Sequence, residues 1–93
     1  MIQSFRCKKT ARFFHEGEPA AAWRSVSAVV ARKLDILDAA VNLSDLRAPP
    51  GNRLEPLIGD RAGQHSIRIN ERWRICFIWT ETGPADVEIV DYH

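Results

Sequence analysis

Cysteine is scarce in this 93-residue chain: Cys7 and Cys76 stand far apart, outside any CxxC or paired-histidine spacing. Such a pair makes no disulfide scaffold and no structural zinc cluster, so both thiols are expected to be reduced and packed in or near a core. Long apolar runs are missing as well. No stretch approaches the ~18 consecutive apolar residues of a membrane helix. The opening residues Met1-Ile2-Gln3-Ser4-Phe5-Arg6 lack the apolar centre of a secretory signal, so a cytoplasmic location without membrane contact is expected. No internal repeat, low-complexity tract or linker divides the chain, which leaves a single domain over residues 1–93. A phosphate-cradling glycine loop is missing too: Gly59 and Gly63 flank Asp60-Arg61 without the lysine spacing of a nucleotide-binding loop. Neither a metal nor a cofactor is therefore expected.

Hydrophobic residues make up 45% of the chain and charged residues 27%, ordinary values for a folded domain near the lower size limit of a single core. The formal net charge of +1 hides an asymmetry. Residues 47–79 carry six arginines (Arg47, Arg53, Arg61, Arg68, Arg72, Arg74) against three acids (Glu55, Asp60, Glu71). Residues 80–93 carry the acids Glu81, Asp86, Glu88 and Asp91 and no Lys or Arg. The basic residues of the middle segment are all arginine, whose planar fork matches phosphate oxygens and stacks on bases better than lysine does.

Periodicity sets the element order. Ile2 to Arg6 suits a short edge or first strand. Lys8 to Glu16 reads as a short helix stopped by Gly17. From Ala20 to about Leu43, Trp23, Val26, Val30, Leu34, Leu37 and Val41 recur at steps of three and four, the stripe of an amphipathic helix, with Arg24, Arg32, Lys33 and Asp35 mostly off it. Ala48-Pro49-Pro50-Gly51-Asn52 is turn chemistry, and Pro56 demotes Leu54 to Leu57 to an edge strand at most. His65 to Ile69 and Trp73 to Trp79 then alternate around Asn70-Glu71-Arg72 as a hairpin, and a last strand covers Asp86 to Val90. The expected fold is α+β: a small antiparallel sheet in β-α-α-β-β-β order with two N-terminal helices on one face. Trp73, Ile75, Phe77 and Trp79 would face the helices, and Arg74 would project from the open face.

The runs Pro50-Gly51-Asn52-Arg53-Leu54, Leu57 to Arg68 around Gly59-Asp60-Arg61-Ala62-Gly63, Trp73-Arg74-Ile75-Cys76-Phe77 and the terminal Asp91-Tyr92-His93 together resemble the HigB-type toxins of bacterial toxin–antitoxin modules, in the RelE/ParE superfamily, and within it the GraT-like members. The resemblance covers nearly the whole chain. It implies a RelE-like fold and a ribosome-dependent endoribonuclease that cuts messenger RNA in the decoding site without metal. It also implies a cognate HigA-like antitoxin with a helix-turn-helix domain, and operator DNA reached only through that antitoxin. In several such toxins a histidine of the catalytic set stands where this chain has Glu55, and some relatives have lysine at the position of Ile58.

The implied reaction needs a base for the ribose 2′-hydroxyl, cationic donors for the phosphorane and an acid for the leaving 5′-oxygen. The candidate catalytic set is Asp91, Tyr92, His93, Arg74 and Glu55, with Arg53, Arg61, Arg68 and Arg72 as RNA-binding residues. His93 has the better intrinsic match to neutral pH, Tyr92 needs nearby Arg charge to act as a base, and Asp91 either orients a neighbour or shares the base role. Strand alternation would send Tyr92 to the opposite side from its neighbours, so the chain end must hook if all three act together. Glu55 is either a base or a charge that repels RNA. His65 and His15 read as structural. Two other readings keep the same fold: a gyrase-directed toxin of the ParE branch, and a catalytically weak module acting through antitoxin binding and operon control.

Overall fold

A computed structural model describes residues 1–91. Two helices, α1 (Lys8–Glu16) and α2 (Ser27–Ala39), precede four strands: β1 (Glu55–Pro56), β2 (His65–Arg68), β3 (Trp73–Thr80) and β4 (Gly83–Asp91). The strands form one antiparallel sheet in the order β1-β2-β3-β4. The core lies between the helices and one sheet face, where Val30, Leu34, Leu37, Ile67, Ile75, Phe77 and Val87 are all but fully buried.

Helix α1 stops where the sequence places its stop: Gly17 takes φ 78° and its N–H donates to the Phe13 carbonyl at 2.8 Å. The long helix expected from Ala20 to Leu43 is instead broken at both ends. Its first turn is a 3-10 turn, Ala21–Val26, bent at Trp23 (φ −125°, ψ 22°). The bend swings the Trp23 ring edge-on to Phe13, with centroids 5.0 Å apart, and buries it. At the other end Ala40 is already extended, and the Asp45 carboxylate accepts the N–H groups of Val41 (2.9 Å) and Asn42 (3.0 Å). This capping box starts a new 3-10 turn, Leu43–Arg47, and leaves Val41 80% exposed, so Val41 leaves the expected core stripe and Leu46 enters the core in its place.

The first strand expected at Ile2 to Arg6 is reduced to a single parallel bridge, Phe5 with Val87. Its backbone runs along the outer edge of β4, with Gln3 N–H on the Pro84 carbonyl (2.8 Å), Val87 N–H on Ser4 (3.1 Å) and Arg6 N–H on Val87 (3.0 Å). Pro84 offers a carbonyl and no N–H, and Asp86, at φ 52°, bulges β4 so that Asp86 and Val87 together stand opposite Phe77. A regular ladder is therefore interrupted on both sides of the bridge. Gly83, at φ 134°, passes so close to Met1 that a Cβ there would lie 2.3 Å from the Met1 carbonyl oxygen.

Candidate functional site

The alternation of β3 puts Arg74 on the sheet face away from Ile75 and Phe77, as the pattern implies. That face is not open at Arg74, which is only 7% exposed. The expected projecting side chain is instead tucked under the loop before β1. Its Nε donates to Ser66 Oγ (2.8 Å), an Nη2 hydrogen goes to the Arg53 carbonyl (2.8 Å), and Nη2 stands 3.5 Å from Glu55 Oε1. A guanidinium held at several points is preorganised, so a phosphate meeting it requires little reordering.

Arg74 forms the floor of a hollow of about 440 Å³ walled by Arg53, Arg68, Asn70 and Glu71. Arg68 lies directly across the β2–β3 pair from Arg74. Arg53 and Arg68 enter no ion pair among the described residues, whereas the other expected RNA contacts are engaged. Arg61 bonds Glu88 (2.7 Å) and Gln64 (3.1 Å), and Glu88 holds its guanidinium more firmly protonated than usual. Arg72 bonds Asp91 through Nε (3.0 Å) and Nη2 (2.9 Å), which also raises its pKa, and its guanidinium carbon sits 4.9 Å from the Trp73 ring centroid.

Asp91 stands opposite Trp73 in the β3–β4 register, while Val90 stands opposite Arg74. The pleat therefore puts the Asp91 carboxylate on the Trp73 side, with Arg72, and not on the Arg74 side with Glu55. Tyr92 and His93, both in the candidate catalytic set, lie outside the described residues. His65 packs against Phe77, with rings nearly parallel and 6.3 Å apart, on the helix side of the sheet.

Sequence reasoning missed the support beneath this site. Lys33 on α2, read as off the stripe, is 8% exposed and donates its amine to the side-chain oxygen of Asn52, which is fully buried. The Asn52 amide donates in turn to the carbonyls of Leu46 (3.2 Å) and Ala48 (3.1 Å). Burial first, then the charge of Arg32, pulls the Lys33 pKa down. Asn52 thereby closes the loop that ends in Arg53, whose φ of 45° is a left-handed conformation unusual for a residue with a side chain. The only signal available was an asparagine beside glycine, which marks a turn and says nothing of burial. Asn70 was likewise read as plain turn; its Oδ1 accepts the N–H groups of Arg72 (2.9 Å) and Trp73 (2.7 Å) and so starts β3.

Among the described residues no group of His, Cys, Asp and Glu is placed to hold a metal ion. Cys76 is buried in β3, and burial pushes its thiol pKa up, with Arg61 opposing, which suits a packed and unreactive side chain.

Comparison with known proteins agrees with this architecture. The chain is 51% identical to the toxin HigB-1 of Vibrio cholerae over 57 residues, 61% of this chain and 60% of that protein, so that match spans less than two thirds of the relative. It is 29% identical to the endoribonuclease HigB of Proteus vulgaris over 93 residues, the full length of both. A solved YoeB/ParE toxin from Agrobacterium tumefaciens superimposes with a TM-score of 0.51 at 20% identity, covering 98% of each chain, and shares the fold. A family model described as the RelE-like toxin of the type II toxin–antitoxin system HigB matches residues 3–93, and with so nearly complete a match the chain belongs to the HigB-like toxin family.

Proposed function

We propose that this toxin is a ribosome-dependent endoribonuclease that cuts messenger RNA in the decoding site and so stops translation. The observation that carries the reading is the arginine hollow around Arg74, at the end of the sheet where β3 begins and β4 finishes at Asp91. The name of the Proteus vulgaris relative supports the reaction class.

In this reading the ribose 2′-oxygen attacks the adjacent phosphorus. A P–O2′ bond forms and the P–O5′ bond breaks, which leaves a 2′,3′-cyclic phosphate and a 5′-hydroxyl. The RNA supplies its own nucleophile, so the protein has to move protons and neutralise charge. Arg74, with Arg53 and Arg68, takes the charge of the pentavalent phosphorane. Tyr92 and His93 move the protons, with His93 best matched to neutral pH, and Asp91 on the other face orients the segment. Arg72 holds Asp91 in place. Glu55 tempers the positive hollow and holds Arg74 from the side. The partners are the decoding site with its messenger RNA, and a HigA-like helix-turn-helix antitoxin through which the pair reaches operator DNA. The setting is the cytoplasm.

The test is primer extension of a defined mRNA on purified ribosomes, with wild-type protein, an Arg74→Ala variant and a chain lacking His93. New 5′ ends inside the decoding-site codon that require ribosomes and vanish in both variants are the expected result. Cuts on naked RNA would discard the decoding site. No cuts from folded protein, with DNA breakage in treated cells, would replace the reading with gyrase poisoning.

A further inference from the structure

Beside the arginine hollow lies a larger one, about 710 Å³, between the Leu43–Arg47 turn and the β1–β2 edge. Arg53 belongs to the walls of both. We infer that this second hollow is a nucleotide subsite, seating the next residue of the same RNA strand whose phosphate lies on Arg74. The inference rests on the nuclease reading above and extends it to substrate positioning.

Its walls divide by chemistry. Leu43, Pro50, Leu54 and Pro56 give apolar surfaces for a base, and His65 stands at the back, held against Phe77. Arg47 and Arg53 give cations for a phosphate. Neither enters an ion pair among the described residues, unlike Arg61, Arg72 and Arg74. A guanidinium without a carboxylate partner, at the rim of an apolar hollow, is complementary to an anion attached to a flat apolar ring. An acidic peptide would use the same cations, but it would have no reason to continue through Arg53 onto Arg74. An RNA strand with a phosphate on Arg74 continues past the shared Arg53.

The hollow is also built in advance. Asn52, buried and bonded to Leu46, Ala48 and Lys33, fixes the stretch from the Leu43–Arg47 turn to Arg53. The Arg53 carbonyl is held by Arg74, and its N–H donates to the Pro50 carbonyl at 3.2 Å. A preformed concave wall lowers the ordering cost of binding.

The experiment is a titration of the purified full chain followed by amide NMR, using a fully 2′-O-methylated single-stranded tetranucleotide, which cannot be cut, and inorganic phosphate in parallel. Arg47 is exposed, so Arg47→Ala removes the cation without touching the core. The tetranucleotide is expected to shift the amides of Ser44, Arg47 and Leu54 along with those of Arg53, Arg68 and Arg74. Arg47→Ala should weaken it about tenfold, the loss of one charged hydrogen bond, and leave the phosphate-induced shifts of Arg68 and Arg74 unchanged. Shifts confined to Arg68 and Arg74, an equal loss for both probes, or no shifts at all would overturn the subsite. The nuclease reading is judged apart, by cleavage on ribosomes: a wild type that shifts both sets of amides yet cuts nothing keeps the subsite and loses the nuclease.

Discussion

Arg74 differs from a surface arginine in what its replacement removes. Lysine in its place retains the charge but cannot donate to Ser66 and to the Arg53 carbonyl together in one plane. Arg74→Lys is therefore expected to cut mRNA at least about a hundredfold more slowly than wild type while remaining folded, measured by single-turnover cleavage on ribosomes. Glu55 acts in the opposite sense. Removing its charge with Glu55→Gln should tighten RNA several-fold at low salt, read as a fall in KM, because a carboxylate 3.5 Å from Arg74 competes with phosphate for the same donors. Lys33 gives a pH signature. Its folded pKa is lowered and its unfolded value is the ordinary 10.5, so between the two the unfolded chain holds more protons and stability rises with pH. Urea unfolding at neutral pH and near pH 10 should show wild type gaining on Lys33→Met over that interval. A constant difference between the two would mean that the amine keeps its ordinary affinity for a proton.

The elements that repeat a period were legible, and those set by a single side chain were not. Helix α1 with its glycine stop, the β2–β3 hairpin and the edge status of β1 follow from local pattern, because period and turn chemistry act over a few residues. The expected single helix from Ala20 to Leu43 failed at Trp23, whose ring reaches Phe13, and at Asp45, whose carboxylate captures two N–H groups; both are contacts that the stripe alone does not reveal. The same holds for the site. Arg74 and Arg68 could be placed together from strand register, yet the approach of Arg53, the burial of Arg74 and the Lys33–Asn52 support depend on a loop folding back. Packing of α2 on the sheet carries the fold at this scale. Leu37→Ala, which empties a fully buried position, should cost about 3 kcal/mol, read from the denaturant midpoint at unchanged slope.

For the molecule as a whole, a net charge of +1 offers little long-range attraction to RNA. Attraction has to come from the local run of Arg47, Arg53, Arg68 and Arg74. The salt dependence of tetranucleotide binding should then be modest, a log–log slope of about −2 for roughly three neutralised phosphates on a single strand. A much steeper slope would mean that the distant cations of α1 also engage RNA. The N-terminal segment has a further bearing on how copies of the molecule treat one another. By lying along β4 it occupies main-chain groups that would otherwise form a free sheet margin. A chain trimmed before Cys7 would present that margin bare, with only Pro84 and the Asp86 bulge left to hinder strand-to-strand pairing. Residues 1–6, far from the arginine hollow in sequence, thus shield the sheet edge against pairing with a second copy.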